Sequence, residues 1–185
     1  MTRTDAPPAG GPTRAMWRAA HTPVAGVPRW ARITAYAVPF TVLPSGLWRL
    51  PIVFDGGVGV GERAYVVLLS IVSELVAFTA VGLVAAWGER FPRWVPGLRG
   101  RGIPRLFVIV PAALGAVVLT TVWTITFATH FAGVTLRGEP IPSAFPTEAG
   151  GWEAAAFYVC YLPLLLWGPL LGVTAYAYHR RRRNR

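Results

Sequence analysis

Four long apolar segments, separated by short polar connections, constrain what this chain can fold into. They cover about residues 33–54, 65–87, 106–129 and 154–178. Each exceeds the roughly 20 residues that an α-helix needs to cross a hydrocarbon core ~30 Å thick. The third and fourth segments carry no charged residue, whereas the first contains Arg49 and the second contains Glu74. The pattern predicts an all-α protein, a four-helix transmembrane bundle.

The positive charges alternate between the connections and predict how the chain is threaded. All 18 basic residues are arginine, and the net charge is +10. The connections after the first and third segments contain only Arg63 and Arg137, each beside acidic residues. Short connections rich in arginine stay on the cytoplasmic side. We therefore expect a multi-pass protein of the plasma (inner) membrane with both termini cytoplasmic. The remaining arginines, apart from Arg49, form three clusters, at residues 3–32, 90–105 and 180–185.

The composition divides the chain into three parts. Residues 1–30, rich in Pro, Gly, Ala and Arg, are predicted to be a disordered cytoplasmic arm, and residues 31–179 a transmembrane domain. Residues 180–185 are predicted to be a short basic tail. Because this tail follows a membrane span directly, it favours contact with lipid headgroups over binding to nucleic acid. The lone Cys160 and three scattered histidines suggest no metal site, no cofactor and no catalytic residue.

The connection between the second and third segments, "WGERFPRWVPGLRGRGIPR", alternates aromatic and arginine side chains. Aromatic rings prefer the headgroup level of a membrane, and arginine there meets lipid phosphate. Two interpretations remain open: an interfacial anchor, or a binding site for an anionic lipid headgroup. The residues concerned are Trp87, Arg90, Arg93, Trp94, Arg99 and Arg101.

Three strings carry a resemblance to a known family. "RWARITAYAVPFTVLPSGLWRL", "GLVAAWGERFPRWVPGLRGRGIP" and "VIVPAAL" resemble a family of small actinobacterial multi-span membrane proteins without an assigned biochemical activity. The resemblance covers roughly residues 29–125 and, more loosely, the last apolar segment. It implies a plasma-membrane location and supplies no catalytic residue.

Glu74 is the acidic residue within the apolar segments, and its expected depth is near the bilayer centre. An acidic residue there costs about 2.5–3.5 kcal/mol, so it should face protein or water rather than lipid. Arg49 is predicted at a similar depth, which makes an intramembrane Arg49–Glu74 pair a candidate. The alternative is that Arg49 reaches the headgroups and Glu74 is protonated. In the fourth segment, the spacing of Gly168 and Gly172 favours close helix packing within the bundle.

The leading functional hypothesis is a non-enzymatic membrane protein that acts through lipid, through a membrane-protein partner or as a homo-oligomer. One alternative is an intramembrane enzyme that modifies a lipid or isoprenoid with Glu74 as acid or base. Another is a small proton-coupled transporter that uses Glu74. The position of Glu74 relative to any cavity distinguishes these hypotheses.

Overall fold

The computed structural model describes residues 26–54, 56–89, 102–143 and 145–183, and for Ile52 the backbone only. These residues are all-helical, as predicted; they contain no strand, and their strand-like features are isolated bridge residues, such as Val134 paired with Pro140. Most of the predicted arm, residues 1–25, lies outside the described residues. The helices are α1 (Arg29–Phe54), α2 (Val60–Gly82), α3 (Arg105–Phe131), α4 (Pro146–Ala149), α5 (Gly151–Tyr161) and α6 (Leu164–Arg183), with a 3-10 turn at Ala86–Gly88.

Three helical segments of the described chain are long and apolar enough to cross a membrane. They are Val60–Gly82, Arg105–Phe131 and the α5–α6 segment Gly151–Arg183. Many large apolar side chains on these segments are exposed, including Leu75, Leu114 and Val159. Such surfaces are stable in lipid, where no water has to hydrate them. The expected crossing at 33–54 coincides with α1, which is 26 residues long but is not one of the three.

Both predicted boundaries of the second segment differ from those of its helix by five residues. The second segment was expected at 65–87, but α2 begins at Val60 and ends at Gly82. Trp87 lies in the 3-10 turn and folds back on α2, where a Cβ on Gly82 would lie 2.6 Å from its ring atoms. The Trp87 ring stacks on Phe78, with centroids 6.3 Å apart. Glycine at position 82 therefore allows the chain to turn back at this point.

The fourth segment, expected as one helix at 154–178, is divided. α5 ends at Tyr161 and α6 begins at Leu164, with Pro163 between them. Proline has no backbone N–H to donate, which interrupts the hydrogen-bond ladder there. α6 then continues to Arg183, so the predicted basic tail is helical over the residues that the structure describes.

The long helices pack side by side in the order α2, α1, α6, α3. α1 and α6 are central and α2 and α3 are peripheral; α2 and α3 make little contact with each other. Small residues at the centre, such as Ala31 and Ala35, are completely buried and allow close approach. Thr174 of α6 donates a hydrogen bond to Thr34 of α1 at 3.3 Å. The main buried cluster comprises Val38, Val42, Ala77, Ala80, Leu83, Ala116, Leu164, Trp167, Leu171, Ala175 and Tyr178.

The helix directions define two ends of the molecule. The beginnings of α1 and α3 and the ends of α2 and α6 lie together, since Arg182 near the end of α6 donates to the Ile103 carbonyl at 2.7 Å, just before α3. We call this the arginine-rich end. The connections 55–59 and 132–150 lie at the opposite end, which we call the pocket end.

Candidate functional site

A cavity of about 350 Å³ lies at the pocket end, where α3 stops and α5 begins. Its walls come from the last turns of α3, from the connection that follows and from α5. We call it the aromatic pocket. It is lined by Trp123, Thr126, Phe127, Thr129, His130, Val134, Thr135, Leu136, Ile141, Pro142, Phe145, Phe157 and Tyr161.

The aromatic rings of this region hold one another in place. The His130 ring centroid lies 5.6 Å from that of Phe145, 5.8 Å from that of Phe157 and 6.1 Å from that of Tyr158. Phe157 in turn stacks on Tyr161 with centroids 4.5 Å apart. Ring pairs at such distances add about 0.5–1.5 kcal/mol each beyond the area that they bury. The walls of the pocket are thus preformed.

The connection after α3 folds back on itself and brings Phe145 over His130. Gly133 and Gly138 adopt φ angles of +75° and +80°, which glycine reaches without a steric penalty. Between them, the backbone N–H of Thr135 donates to the Glu139 carbonyl at 2.7 Å. These glycines signal turns in the sequence, but their spacing does not reveal a pocket.

Two basic side chains at or beside the pocket have nitrogen atoms that no acceptor of the described chain bonds. His130 Nε2 lies 3.5 Å from the Tyr158 hydroxyl, and within the described chain the other ring nitrogen has no hydrogen-bond partner. The Arg49 guanidinium carbon lies 5.4 Å from the centroid of the Tyr161 ring, a cation–π distance. No acceptor among the described residues bonds this half-buried guanidinium. The pocket is therefore apolar in its lining and basic in its polar groups.

The structure does not bring Arg49 and Glu74 together. Within the described residues, neither takes part in an ion pair shorter than 4.0 Å. Because α2 begins at Val60 rather than at Tyr65, Glu74 lies roughly 21 Å from the start of α2, whereas Arg49 lies roughly 8 Å from the end of α1. Glu74 is half-buried on the side of α2 that carries buried Ala77. It lines neither the aromatic pocket nor the α1 groove introduced below.

Among the described residues, an ion pair joins Arg181 to Glu89 at the arginine-rich end, with a distance of 2.6 Å. The two side chains are 7% and 12% exposed. Arg181 Nη2 also donates to the Leu83 carbonyl at 3.3 Å, and the Ile103 N–H donates to the Glu89 carbonyl at 3.0 Å. Together with the Arg182 bond, these contacts tie the end of α6 to both ends of the connection between α2 and α3. Arg181 and Arg182 therefore contact protein.

Sequence reasoning missed the Arg181–Glu89 pair, although a signal was present. The buried residues of α6 recur every three or four positions, and Leu171, Thr174 and Tyr178 belong to this stripe. One further turn of the same stripe places Arg181 on the buried side. The sequence around Glu89 contains no such stripe. The burial of Glu89 follows only from the turn at Trp87, which the sequence does not predict.

The other predicted site residues are found in three situations. Trp87 is half-buried against Phe78, as described above. Gly168 lies against Thr120 and Ala116 of α3, whereas Gly172 has more room beside Ala116. Arg90, Arg93, Trp94, Arg99 and Arg101 lie outside the described residues.

An open groove of about 540 Å³ runs along α1 near the arginine-rich end. It is lined by one face of the helix and combines two guanidinium groups with aromatic rings. Its position suits contact with lipid headgroups. No three His, Cys, Asp or Glu residues of the described chain lie close enough together to hold a metal ion, in the groove or outside it. The groove residues are Arg29, Arg32, Ile33, Tyr36, Ala37 and Phe40.

Comparison of the chain with protein-family models, with characterised proteins and with solved structures returns no match. The resemblance to small actinobacterial membrane proteins stays a prediction.

Proposed function

We propose that this protein is a multi-pass protein of the plasma membrane that crosses the bilayer four times with both termini cytoplasmic. Besides the three apolar segments, α1 supports this proposal, because a short connection at 55–59 joins it to α2 and the two helices pack together. Helices so connected run in opposite directions. The arginines of the described residues that lie at one end, such as Arg29, Arg105 and Arg182, support a cytoplasmic position for that end.

Reporter fusions at four positions test this threading. Fusions after Gly57 and Ser143 should be active as external reporters, and fusions after Gly97 and Arg185 as internal ones. Paired reporters that are active only inside or only outside the cell measure both outcomes. An external C-terminus would contradict the proposal together with the charge argument that supports it.

The proposed activity is non-enzymatic: the protein holds an apolar membrane component in the aromatic pocket. The observation that carries the proposal is a preformed cavity with an almost wholly apolar lining at one end of membrane-crossing helices. Concave apolar sites with few convergent polar groups are typical of small-molecule binding. At the pocket end such a site is within reach of molecules in the outer leaflet.

Both alternatives that use Glu74, an enzyme and a proton-coupled transporter, require this carboxylate at a cavity. Glu74 lines neither of the two cavities described above. The pocket and the α1 groove instead favour a function through lipid.

Gentle purification followed by mass spectrometry tests what the pocket holds. We expect a small amphiphile to co-purify with the native protein and to be lost when Ile141→Trp fills the pocket with a larger side chain. Leu47→Trp is the matched control, since Leu47 is exposed on α1 and does not line the pocket.

Retention of the same amphiphile by the Ile141→Trp protein would contradict the proposal. A co-purifying protein that leaves with Ile141→Trp would instead show that the pocket receives a segment of a membrane-protein partner.

A further inference from the structure

We propose that the ligand of the aromatic pocket is a single-chain amphiphile with an anionic oxygen head, either a carboxylate or a phosphate monoester. His130 donates a hydrogen bond to the head. Arg49, which lies over the Tyr161 ring and does not line the pocket, attracts the head by its positive charge. This inference rests on the proposed function and adds the chemical class of the ligand to it.

The size of the cavity limits the ligand to one chain. At about 350 Å³ it lies near the lower end of the range of about 300–1,000 Å³ that is typical of small-molecule sites. A phospholipid with two chains does not fit in such a volume. Exposed apolar side chains of α3, Val122 and Ile125, precede the pocket residue Thr126 and offer a surface for the rest of a long chain.

The charges around the pocket favour an anion. The unbonded nitrogen of His130 is a hydrogen-bond donor in one neutral tautomer and in the charged form. Arg49 adds a full positive charge 5.4 Å from the centre of a ring that lines the pocket. The described acidic residues of the same end, Glu62, Glu139, Glu148 and Glu153, are exposed, and none of them lines the pocket. A hydrogen bond from His130 to an anionic head is stronger than one to a neutral head.

An aromatic pocket also raises the opposite possibility, a quaternary ammonium head held by ring faces. The contacts between the rings argue against it. Tyr161 stacks on Phe157 and already has the Arg49 cation over its ring, and Phe145 packs against Phe157 with centroids 5.3 Å apart. Faces engaged in this way are less available to a second cation, and Arg49 repels one.

Four probes that differ only in the head test the inference: dodecanoate, dodecyl phosphate, dodecanol and dodecyltrimethylammonium, each with a bromine on the last carbon. The full-length protein in phosphatidylcholine nanodiscs is titrated with each probe, and the quenching of tryptophan fluorescence is measured. Trp123→Phe identifies the signal that comes from the pocket. We expect both anionic probes to bind at least about tenfold more tightly than the ammonium probe. The tighter of the two shows whether the natural head is a carboxylate or a phosphate.

Variants of the two basic residues test their roles. His130→Leu should weaken binding of the anionic probes about tenfold and binding of dodecanol by no more than about threefold, since a hydrogen bond to a charged group is stronger than one to a neutral group. His130→Gln keeps a donor and should recover part of this loss, which also separates binding from folding. Arg49→Met should weaken only the anionic probes, about threefold. Matched controls are His179→Leu, at the arginine-rich end, and Arg137→Met, exposed on the connection after α3; both should bind like the native protein.

The outcomes distinguish the two proposals. Equal affinity for all four heads, with binding abolished by Ile141→Trp, would overturn the ligand class and keep the pocket as a binding site. Unchanged binding of every probe by the Ile141→Trp protein would overturn the pocket itself and with it the proposed function. Tighter binding of the ammonium probe would show that the ring faces, rather than His130, recognise the ligand.

Discussion

Replacing Gly168 with alanine should separate α3 from α6 and destabilise the protein by about 3 kcal/mol, at the upper end of typical overpacking effects. A Cβ at this position would overlap the Thr120 hydroxyl and would lie 2.5 Å from the Thr120 nitrogen and 2.7 Å from the Ala116 carbonyl oxygen. Two of these atoms belong to the α3 backbone, so a side-chain rotation cannot relieve the contact. The midpoint of unfolding in a denaturing-detergent titration measures the loss.

Gly172 provides the control within the same helix. A Cβ there would lie 3.5 Å from the Ala116 Cβ, an ordinary van der Waals distance. Gly172→Ala should therefore leave the free energy of unfolding unchanged or raise it by up to about 1 kcal/mol, because alanine favours the helix. Equal losses for the two variants would show that the contact between α3 and α6 is not as close as the structure has it.

Replacing Arg181 with methionine should cost about 1.5–3 kcal/mol, since it removes a charge-assisted hydrogen bond to the largely buried Glu89 carboxylate. The same substitution removes the bond to the Leu83 carbonyl. Both losses act where α6 holds the connection between α2 and α3. Thermal unfolding in detergent, followed by circular dichroism, measures the effect.

Arg183 lies two residues further along the same run and is exposed. Arg183→Met removes the same charge at the same end of α6 but breaks no contact with Glu89. We expect a change within about 0.5 kcal/mol. If both substitutions destabilise equally, the arginine run acts through its total charge and not through the Arg181–Glu89 pair.

The helices were predictable from the sequence because lipid exposure requires long uninterrupted apolar segments, which hydropathy reports directly. Their boundaries were less predictable. The end of α2 depends on Trp87 packing over Gly82, a contact between residues whose local sequence is as apolar as the helix itself. The division between α5 and α6 could have been predicted from Pro163, although proline is often tolerated within membrane helices.

The aromatic pocket was not predictable, because its walls are brought together by the fold. His130 ends α3, Phe145 precedes α4 and Phe157 lies in the middle of α5. In the sequence, each of these aromatic residues resembles one that packs between helices, and none of them indicates a pocket. The Arg49–Glu74 hypothesis rests on depths counted from hydropathy boundaries, and the five-residue difference at the start of α2 adds about 8 Å to the expected depth difference.

The side-by-side order α2, α1, α6, α3 has a consequence for how the protein is assembled during synthesis. α1 and α2, which precede α3 and α6 in the sequence, pack on each other, and α3 packs on α6. Each pair is an antiparallel hairpin that can pack as soon as its second helix has been made. The two hairpins then pack on each other along α1 and α6, where Thr174 donates a hydrogen bond to Thr34. Since Arg181 follows α1, α2 and α3 in the chain, the contact that fastens the hairpins at the arginine-rich end can form only after all four long helices have been made.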